Sequence, residues 1–284
     1  MVSFIILHYK NLGDTCECIK SINKLPFKDK SIIVVDNNSL NKEEEKELKK
    51  YTEDLILLDK NYGFANGNNR GCEYAIKKYK PDFLIVINND TVINQNDFID
   101  RIYEDYKEYE FDILGPKIIT NNGDSVNPFY AYETLDVINE KINYSKKLIK
   151  IYKNVILRNL LKIYVKTKRL FKKNIVRENG KETKLNVALH GCALIFSKKY
   201  YKKYKDVFYK GTFLYHEEEF LNYRKNRDNL ITLYDKDLEI FHKEGSSLNV
   251  SFNGDYYKKM IFRNEEIVKS LTRLKEVIEN NKEI

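Results

Sequence analysis

Apolar and polar positions alternate in blocks along the first third of the chain. Short apolar runs, typical of strands that are buried on both faces, occur in VSFIILHY (2–9), SIIVVD (31–36), DLILLD (54–59) and FLIVI (83–87). The polar segments between them have helical periodicity and predict helices over 13–25, 42–51 and 65–79. Continuous apolar strands that alternate with helices are typical of a parallel sheet covered on both faces, so we predict an α/β fold.

Three more elements are predicted farther along the chain. DILGPKII (112–119) predicts a strand that is interrupted by Gly115 and Pro116, and NVALHGCALIFS (186–197) predicts another. The segment at 265–281 has helical periodicity, and it is expected to pack either on the domain or on a second subunit.

Polar residues follow three of the predicted strands. One strand ends in Asp36, Asn37, Asn38 and Ser39, the next is followed by NYGFANGNNRG (61–71), and a third ends in Asn88, Asn89 and Asp90. Turn and helix-cap chemistry explains any one of these clusters. Ligands of parallel sheets bind beyond the carboxyl ends of the strands, so the three clusters together favour a site for a polar, phosphorylated ligand.

The usual glycine-rich phosphate loops are absent from the sequence. It contains neither a G-x-x-x-x-G-K-[ST] motif nor a G-x-G-x-x-G motif after the first strand, which argues against a P-loop and against a dinucleotide site. A divalent cation shared between a carboxylate and the substrate phosphates is the alternative way to hold a diphosphate. Asp90, at the end of a strand, is the candidate carboxylate.

Length and composition limit the class of protein. The chain has 284 residues, of which 42% are hydrophobic, enough for a globular core. We expect neither a secretory signal nor a transmembrane span, because no apolar run approaches the roughly 18 to 20 residues that a span requires. The four cysteines lack metal-ligand spacing and predict reduced thiols in a cytoplasmic protein.

The positive charge is concentrated in one segment. The net charge is +8, yet residues 141–173 hold twelve Lys and Arg and no Asp or Glu, so the rest of the chain is net negative. Apolar residues recur there at helical spacing: Ile149, Tyr152, Ile156, Leu160, Ile163 and Leu170. Such a basic amphipathic helix either lies on an anionic membrane surface or docks its apolar face on the main domain, and both interpretations stay open.

Six ordered motifs resemble one enzyme family. They are VVDNNS, NYGFANGNNRG, VINNDT, HGCALIF (190–196), FLYHEEEFLNYR (213–224) and EIFHKEGSS (239–247). In this order they resemble the family 2 inverting glycosyltransferases of the GT-A fold, particularly the bacterial rhamnosyltransferase-like branch that builds surface and capsular polysaccharides. The resemblance extends from Val2 to about Asn264 and omits the 120–185 region. It implies a nucleotide-sugar-binding half at 1–119, a basic helical insertion at 120–185, and an acceptor and catalytic half at 186–284.

The resemblance also implies a donor site. It assigns nucleotide binding to His8, Asp36, Asn38, Asn61, Gly63, Phe64, Asn69, Asn88 and Asn89. Asp90 and His242 would be the metal ligands, and the implied cofactor is Mn²⁺ or Mg²⁺. Asn88 and Asn89 stand where the family usually has an acid and a proline, which leaves Asp90 as the anionic ligand. The family's second histidine is replaced here by Lys243.

Catalysis is implied in the second half of the chain. Inverting transfer needs a base that takes the proton of the acceptor hydroxyl. Alignment on FLY assigns this role to Glu218, with Glu217 as the adjacent candidate, and Gly191 and Arg224 would contact the acceptor or the phosphates. Acids also collect in first helical turns because they complement the helix dipole, so these positions alone do not demonstrate catalysis.

We therefore expect a metal-dependent hexosyltransferase that uses a UDP- or dTDP-sugar donor and a glycan or lipid-linked oligosaccharide acceptor. It would work in the cytoplasm, with peripheral contact at the inner face of the plasma membrane. Three alternatives remain. The basic segment could bind nucleic acid, although the net negative charge elsewhere argues against it. A sugar nucleotidyltransferase would need a glycine-rich basic loop where this chain has HYKNLGDT. A noncatalytic protein would bind the donor without turnover.

Overall fold

The computed structural model describes residues 1–121, 123, 125–129, 131, 134–160, 180–243 and 252–284. The described strands are β1 (Val2–His8), β2 (Lys30–Asp36), β3 (Asp54–Leu57), β4 (Phe83–Asn88), β5 (Thr91–Val92), β6 (Ile113–Thr120), β7 (Lys184–Leu185), β8 (Ala193–Ser197) and β9 (Thr232–His242). The helices are α1 (Leu12–Asn23), α2 (Lys42–Leu48), α3 (Gly63–Lys78), α4 (Phe98–Tyr109), α5 (Leu135–Lys153), α6 (Lys198–Lys203), α7 (Glu217–Asp228) and α8 (Tyr256–Glu279). Residues 155–160 are also helical.

The described strands form one sheet in the order β3-β2-β1-β4-β8-β6-β9-β5, and β7 pairs with β9. Strands β1 to β4 are parallel, as are β6 and β9, whereas β8 runs antiparallel to both β4 and β6. The predicted α/β fold with a mostly parallel sheet is therefore confirmed. The predicted strand at 186–197 is shorter than expected and begins only at Ala193.

Helices cover both faces of the sheet because successive strand residues point to opposite sides. On β1, Phe4 and Ile6 belong to a core cluster that includes residues of α1 and α4. Ile5 belongs to the opposite cluster, which includes residues of α3, α6 and α7. The middle residues of β1, β2 and β4 are apolar, so the polar side chains of these strands lie at or near their ends.

The basic amphipathic segment divides into two parts. Helix α5 packs its apolar side on α8, where Ile138 and Ile142 join a third core cluster with Leu271 and Leu274. Tyr152 is also buried, close to the rings of Tyr256 and Tyr257. Of the two interpretations of the basic segment, docking on the main domain is the one that applies to α5. The same contacts show that the 265–281 helix packs within the chain. Beyond Asn154 the apolar side chains are exposed, and the part of the predicted helix at 161–173 lies outside the described residues.

Candidate active site

Strands β1, β2 and β4 end at the same edge of the sheet, where their last residues His8, Asp36 and Asn88 lie at neighbouring positions. His8 is buried, and burial lowers the pKa of its imidazole. Its Nδ1 lies 2.7 Å from Thr15 Oγ1, to which Asn89 Nδ2 also donates a hydrogen bond of 3.0 Å. At this edge of the sheet, the Thr15 hydroxyl therefore holds both the neutral His8 imidazole and the Asn89 amide.

The loop after β2 is organised around one carboxylate. Asp36 accepts hydrogen bonds from the backbone N–H and the hydroxyl of Ser39 and from the backbone N–H of Leu40. Asn38 is exposed and adopts a left-handed conformation with φ of 60°. This arrangement fixes the turn whose residues are predicted to contact the nucleotide base, and that contact stays a prediction.

A side chain outside the predicted set holds the loop after β3. Asn37 Oδ1 accepts a hydrogen bond of 2.8 Å from the Tyr62 N–H, and its Nδ2 donates one of 3.2 Å to the Gly63 carbonyl. Asn61 Oδ1 accepts the Gly63 N–H at 2.8 Å. Two asparagines therefore shape residues 61–63, called the donor loop below. The sequence signal for Asn37 was its place in the polar cluster that follows β2.

The donor loop lies against the segment that precedes α7. Gly63 has φ of 78°, and a Cβ atom added to it would lie 2.1 Å from the Phe213 carbonyl oxygen. The same oxygen accepts the Phe64 N–H at 2.8 Å. Only glycine allows this left-handed backbone and this close approach at once.

Asn69 and Phe64 also support the second half of the chain. Asn69 exchanges two hydrogen bonds of 2.8 Å with the backbone of Phe208, and the Phe64 ring packs edge-on against the Phe208 ring. These contacts position residues 208–213. A direct contact of either residue with a nucleotide remains a prediction.

The candidate metal ligands, 152 residues apart in sequence, are brought together by the strand pair β5–β9. His242 Nε2 lies 3.1 Å from Asp90 Oδ1, and both residues are buried. The backbone adds a second link, since the Lys243 N–H donates to the Asp90 carbonyl at 3.0 Å. The Nζ of Lys243 is 2.9 Å from Asp14 and 2.5 Å from Glu17, so this lysine forms ion pairs with α1.

The Asp90–His242 pair is a candidate cation site. Among the residues that the structure describes, no group of three or more His, Cys, Asp or Glu side chains could hold a metal. A pair suffices for Mg²⁺ or Mn²⁺ when substrate phosphates and water complete the coordination. His242 Nε2 is engaged by Asp90, whereas Nδ1 is buried without a hydrogen-bond partner and is the nitrogen available to a cation. The residues therefore fit a cation that the substrate helps to hold.

Three consecutive acids begin α7 beside this edge, and Glu217 and Glu218 are the candidates for the base. Tyr215 and His216 immediately before it have φ of 70° and 68°, a left-handed pair that turns the chain sharply into the helix. Glu218 Oε1 accepts the Gly191 N–H at 3.0 Å. Glu217 is buried, and this burial, together with the charge of Glu218, raises the pKa of Glu217 to about 8. The two neighbouring acids thus lie in different environments.

Residues 190–192, called the bridge below, connect the two halves of the site. The Cys192 carbonyl accepts the Asn88 N–H at 2.8 Å, and the Gly191 N–H binds Glu218. The His190 ring lies 6.4 Å from the His242 ring. His190 was missed as a site residue in the sequence, although it is part of the HGCALIF motif. The bridge brings the strand end of β4 next to the start of α7.

The profile of glycosyl transferase family 2 matches residues 3–180, more than half of the chain. The chain belongs to this family. The match ends before Glu217 and Glu218, and the roles of all the candidate site residues stay predictions. No curated protein matches this family 2 chain.

Solved structures support the GT-A fold. A structure of S. aureus TarS, residues 1–349, has a TM-score of 0.54 at 14% identity over 93% of this chain. TarS in complex with UDP-GlcNAc has a TM-score of 0.56 at 14% identity over 86% of this chain and 59% of that one. GalNAc-T7 with UDP, GalNAc and Mn²⁺ has a TM-score of 0.54 at 12% identity, over 87% of this chain and 43% of its own. This family 2 chain spans 64% of the TarS 1–349 chain.

Arg224 lies in a different environment from the one that its predicted role implies. Its guanidinium is buried, stacks over the Tyr204 ring at 4.2 Å, and donates to the carbonyls of Val207 at 2.8 Å and Ile284 at 3.1 Å. These contacts give it a positioning role for the 206–208 segment in this family 2 chain. A contact with acceptor or phosphate stays a prediction.

None of the described helices combines the length and apolar character that a membrane span requires.

Proposed function

We propose that this chain is an inverting glycosyltransferase that moves a sugar from a nucleoside-diphosphate donor to a hydroxyl group. Glu218 takes the acceptor proton as the acceptor oxygen bonds to the anomeric carbon. The bond from that carbon to the diphosphate breaks, and its electron pair leaves with the diphosphate. Family membership supports the reaction class, and the UDP and UDP-GlcNAc named in the TarS structures support a UDP-sugar as the first donor to test.

One observation supports the proposal best. The bridge connects, through one backbone hydrogen bond on each side, the strand end that precedes Asp90 with Glu218 on α7. A carboxylate at the start of α7 and an Asp–His pair at the sheet edge are the two parts that such a reaction needs. Both parts are linked to the same short segment, so we expect a donor bound at the Asp–His pair to lie near the carboxylate.

Asp90 and His242 are the residues that would hold Mn²⁺ or Mg²⁺. The cation would neutralise the diphosphate charge as it develops on the leaving group. A single carboxylate and a single imidazole provide few protein ligands, so we expect weak cation binding without nucleotide and much tighter binding with it.

We further propose a lipid-linked glycan as the acceptor, within a rhamnosyltransferase-like branch that builds surface polysaccharide. Support comes from the exposed apolar residues after α5: Val155, Ile156, Leu157 and Leu160. Ile156 is 71% and Leu160 58% exposed, and the exposed cations Lys146, Lys147 and Lys150 lie on the helix before them. Apolar side chains next to cations suit the surface of an anionic bilayer.

Nucleotide titration tests the donor site. Calorimetry with UDP, dTDP and GDP, each with and without Mn²⁺, is expected to show metal-dependent binding of one nucleotide. Asp90→Asn should weaken that binding at least tenfold, whereas Asp100→Asn, an exposed acid on α4, should leave it unchanged. If no nucleotide binds with or without metal, the proposed function is wrong. Salt-sensitive binding of single-stranded DNA would then favour the nucleic-acid alternative. If donor binds without turnover with any acceptor, the protein is a noncatalytic binder.

Vesicle binding tests the membrane contact separately. The protein is expected to sediment with vesicles that contain about 30% phosphatidylserine and not with neutral vesicles. The double variant Ile156→Asp and Leu160→Asp should abolish this, and Leu185→Asp, at another exposed apolar position, should not. Equal sedimentation of all three proteins would refute a contact through this surface.

A further inference from the structure

His190 occupies the bridge between the two halves of the site. Its backbone N–H donates to Asn127 Oδ1 at 2.9 Å, and Asn127 is fully buried and donates in turn to the Pro116 carbonyl. The next residue, Gly191, binds Glu218. The backbone of His190 is thus fixed on both sides, and its half-buried imidazole lies 6.4 Å from the His242 ring.

The hydrogen bonds of the bridge determine which ring nitrogen of His190 carries the proton. The Cys192 N–H donates to His190 Nδ1 at 3.2 Å. A nitrogen that accepts a hydrogen bond has no proton of its own, so the neutral ring carries its proton on Nε2. His190 is therefore held as a hydrogen-bond donor at the outer end of its side chain.

Resting on the proposed function, we propose that His190 is a further catalytic residue, whose Nε2–H donates a hydrogen bond to the departing diphosphate. The diphosphate must lie by Asp90 and His242 if these residues bind its cation, and the His190 ring is on the side of that pair that connects to Glu218. A hydrogen-bond donor at this position lies where negative charge increases as the sugar–phosphate bond breaks. Fixed donors of this kind stabilise the transition state more than the ground state, because they need no reorientation when the charge develops.

Two cations on the segments that form the site, Lys243 and Arg224, are already engaged by other groups. Lys243 follows His242 directly, yet its Nζ is engaged by Asp14 and Glu17. Arg224 is engaged by carbonyl groups and by the ring of Tyr204. The N–H group of His190 would therefore stabilise the leaving group in addition to the bound cation.

Two substitutions separate the two nitrogens of the ring. An asparagine side chain ends where Nδ1 lies, so His190→Asn keeps an acceptor for the Cys192 N–H and removes the outer donor. A glutamine is one carbon longer, so His190→Gln places an amide N–H close to the position of Nε2. We would measure UDP release from UDP-GlcNAc with Mn²⁺ present, with water or an added acceptor, together with UDP affinity and the melting temperature.

Removal of one such donor typically lowers kcat by a factor of about 100 to 1,000. We expect His190→Asn to lose at least tenfold in kcat with little change in KM, and His190→Gln to retain several-fold more activity than His190→Asn. The inference is overturned if the asparagine variant matches or exceeds the glutamine variant, since Nδ1 and the fold of the bridge would then be what matters. It is also overturned if both variants match the wild type.

The failure of this inference can be distinguished from the failure of the proposed function. If the wild type binds UDP and releases it from the sugar nucleotide while the His190 variants are unaffected, only the role of His190 is wrong. If the wild type neither binds nor turns over any of the UDP-, dTDP- and GDP-sugars, the proposed function fails and the role of His190 fails with it.

Discussion

Glutamine substitutions at Glu217 and Glu218, made one at a time, should distinguish a protonated acid from the catalytic base. Burial and the charge of Glu218 raise the pKa of Glu217 to about 8, so at neutral pH it is ionised in about a tenth of the molecules. Glutamine resembles the protonated acid in size and hydrogen bonding. We therefore expect Glu217→Gln to retain activity within a few-fold, and Glu218→Gln to lose at least a hundredfold, the usual effect of removing a general base.

Stability gives an independent measure of the same proton. A carboxyl whose pKa is higher in the native state than in the unfolded chain contributes stability at low pH, and that contribution is lost as the pH rises from about 4.5 to about 8. Glu217→Gln removes this loss. From these two pKa values, the difference in free energy of unfolding, variant minus wild type, should increase by roughly 2 to 3 kcal/mol between about pH 6 and pH 9.

Urea unfolding of both proteins at the two pH values measures this gain, and turnover of the sugar nucleotide at neutral pH measures the activities. The exposed Glu43→Gln in α2 is the control for the effect of losing one acid. If Glu217→Gln loses as much activity as Glu218→Gln, then Glu217 is required in its charged form and the assignment of the base is wrong. If its stability follows that of the wild type at all pH values, Glu217 is not held as the acid.

Three further substitutions test positions where the structure leaves little freedom. Gly63→Ala should destabilise the fold by at least about 1 to 3 kcal/mol in thermal unfolding, because of its left-handed φ and the close Phe213 oxygen, whereas Gly13→Ala in α1 has room. An unchanged melting temperature for Gly63→Ala would contradict this. Gly191→Ala would place a Cβ 2.7 Å from Glu218 Oε1, so turnover should fall while UDP affinity stays constant; loss of both would point to a misfolded bridge. Burial raises the pKa of Asp105 to about 7, and its Oδ2 has no hydrogen-bond partner. Asp105→Asn should therefore stabilise the protein above about pH 7 and have little effect near pH 4. An equal gain in stability at both pH values would refute the raised pKa as the cause.

The sequence predicted β1 to β4 and the helices between them closely because these signals were local, whereas α4 was not predicted. Each apolar run from β1 to β4 was flanked by polar helices, and the strand bounds agree within a few residues. The two-residue strand β5 was not predicted, since it depends on pairing with β9 about 150 residues later. The strand expected to begin at 186 begins at Ala193 because the bridge directs its backbone N–H groups to Asn127 and Glu218 instead. Periodicity likewise predicted the apolar side of α5, but it did not predict that α8 covers this side.

Prediction of the site was limited in the same way. Composition and strand ends indicated the polar edge, but only the family resemblance related Asp90 to His242. Asn37 binds the backbone of Tyr62 and Gly63, and the backbone N–H of His190 is held by Asn127, 63 residues away in sequence. No spacing in the sequence reports such contacts. A residue that shapes a loop from within a neighbouring loop leaves no periodic signal.

One short segment, residues 213–216, determines where both the donor loop and the candidate catalytic acids lie. The Phe213 carbonyl accepts the Phe64 N–H, and the Leu214 carbonyl accepts the Ser270 hydroxyl of α8 at 3.0 Å. Tyr215 and His216 then turn through two left-handed residues, a conformation that persists only where the surroundings enforce it. Because the segment is fixed on both sides, a change in the donor loop at Gly63 must also displace the start of α7. Under the proposed function, donor binding and the placement of the base depend on the same contact, which would explain why a glycine is needed so far from the acids that it helps to position.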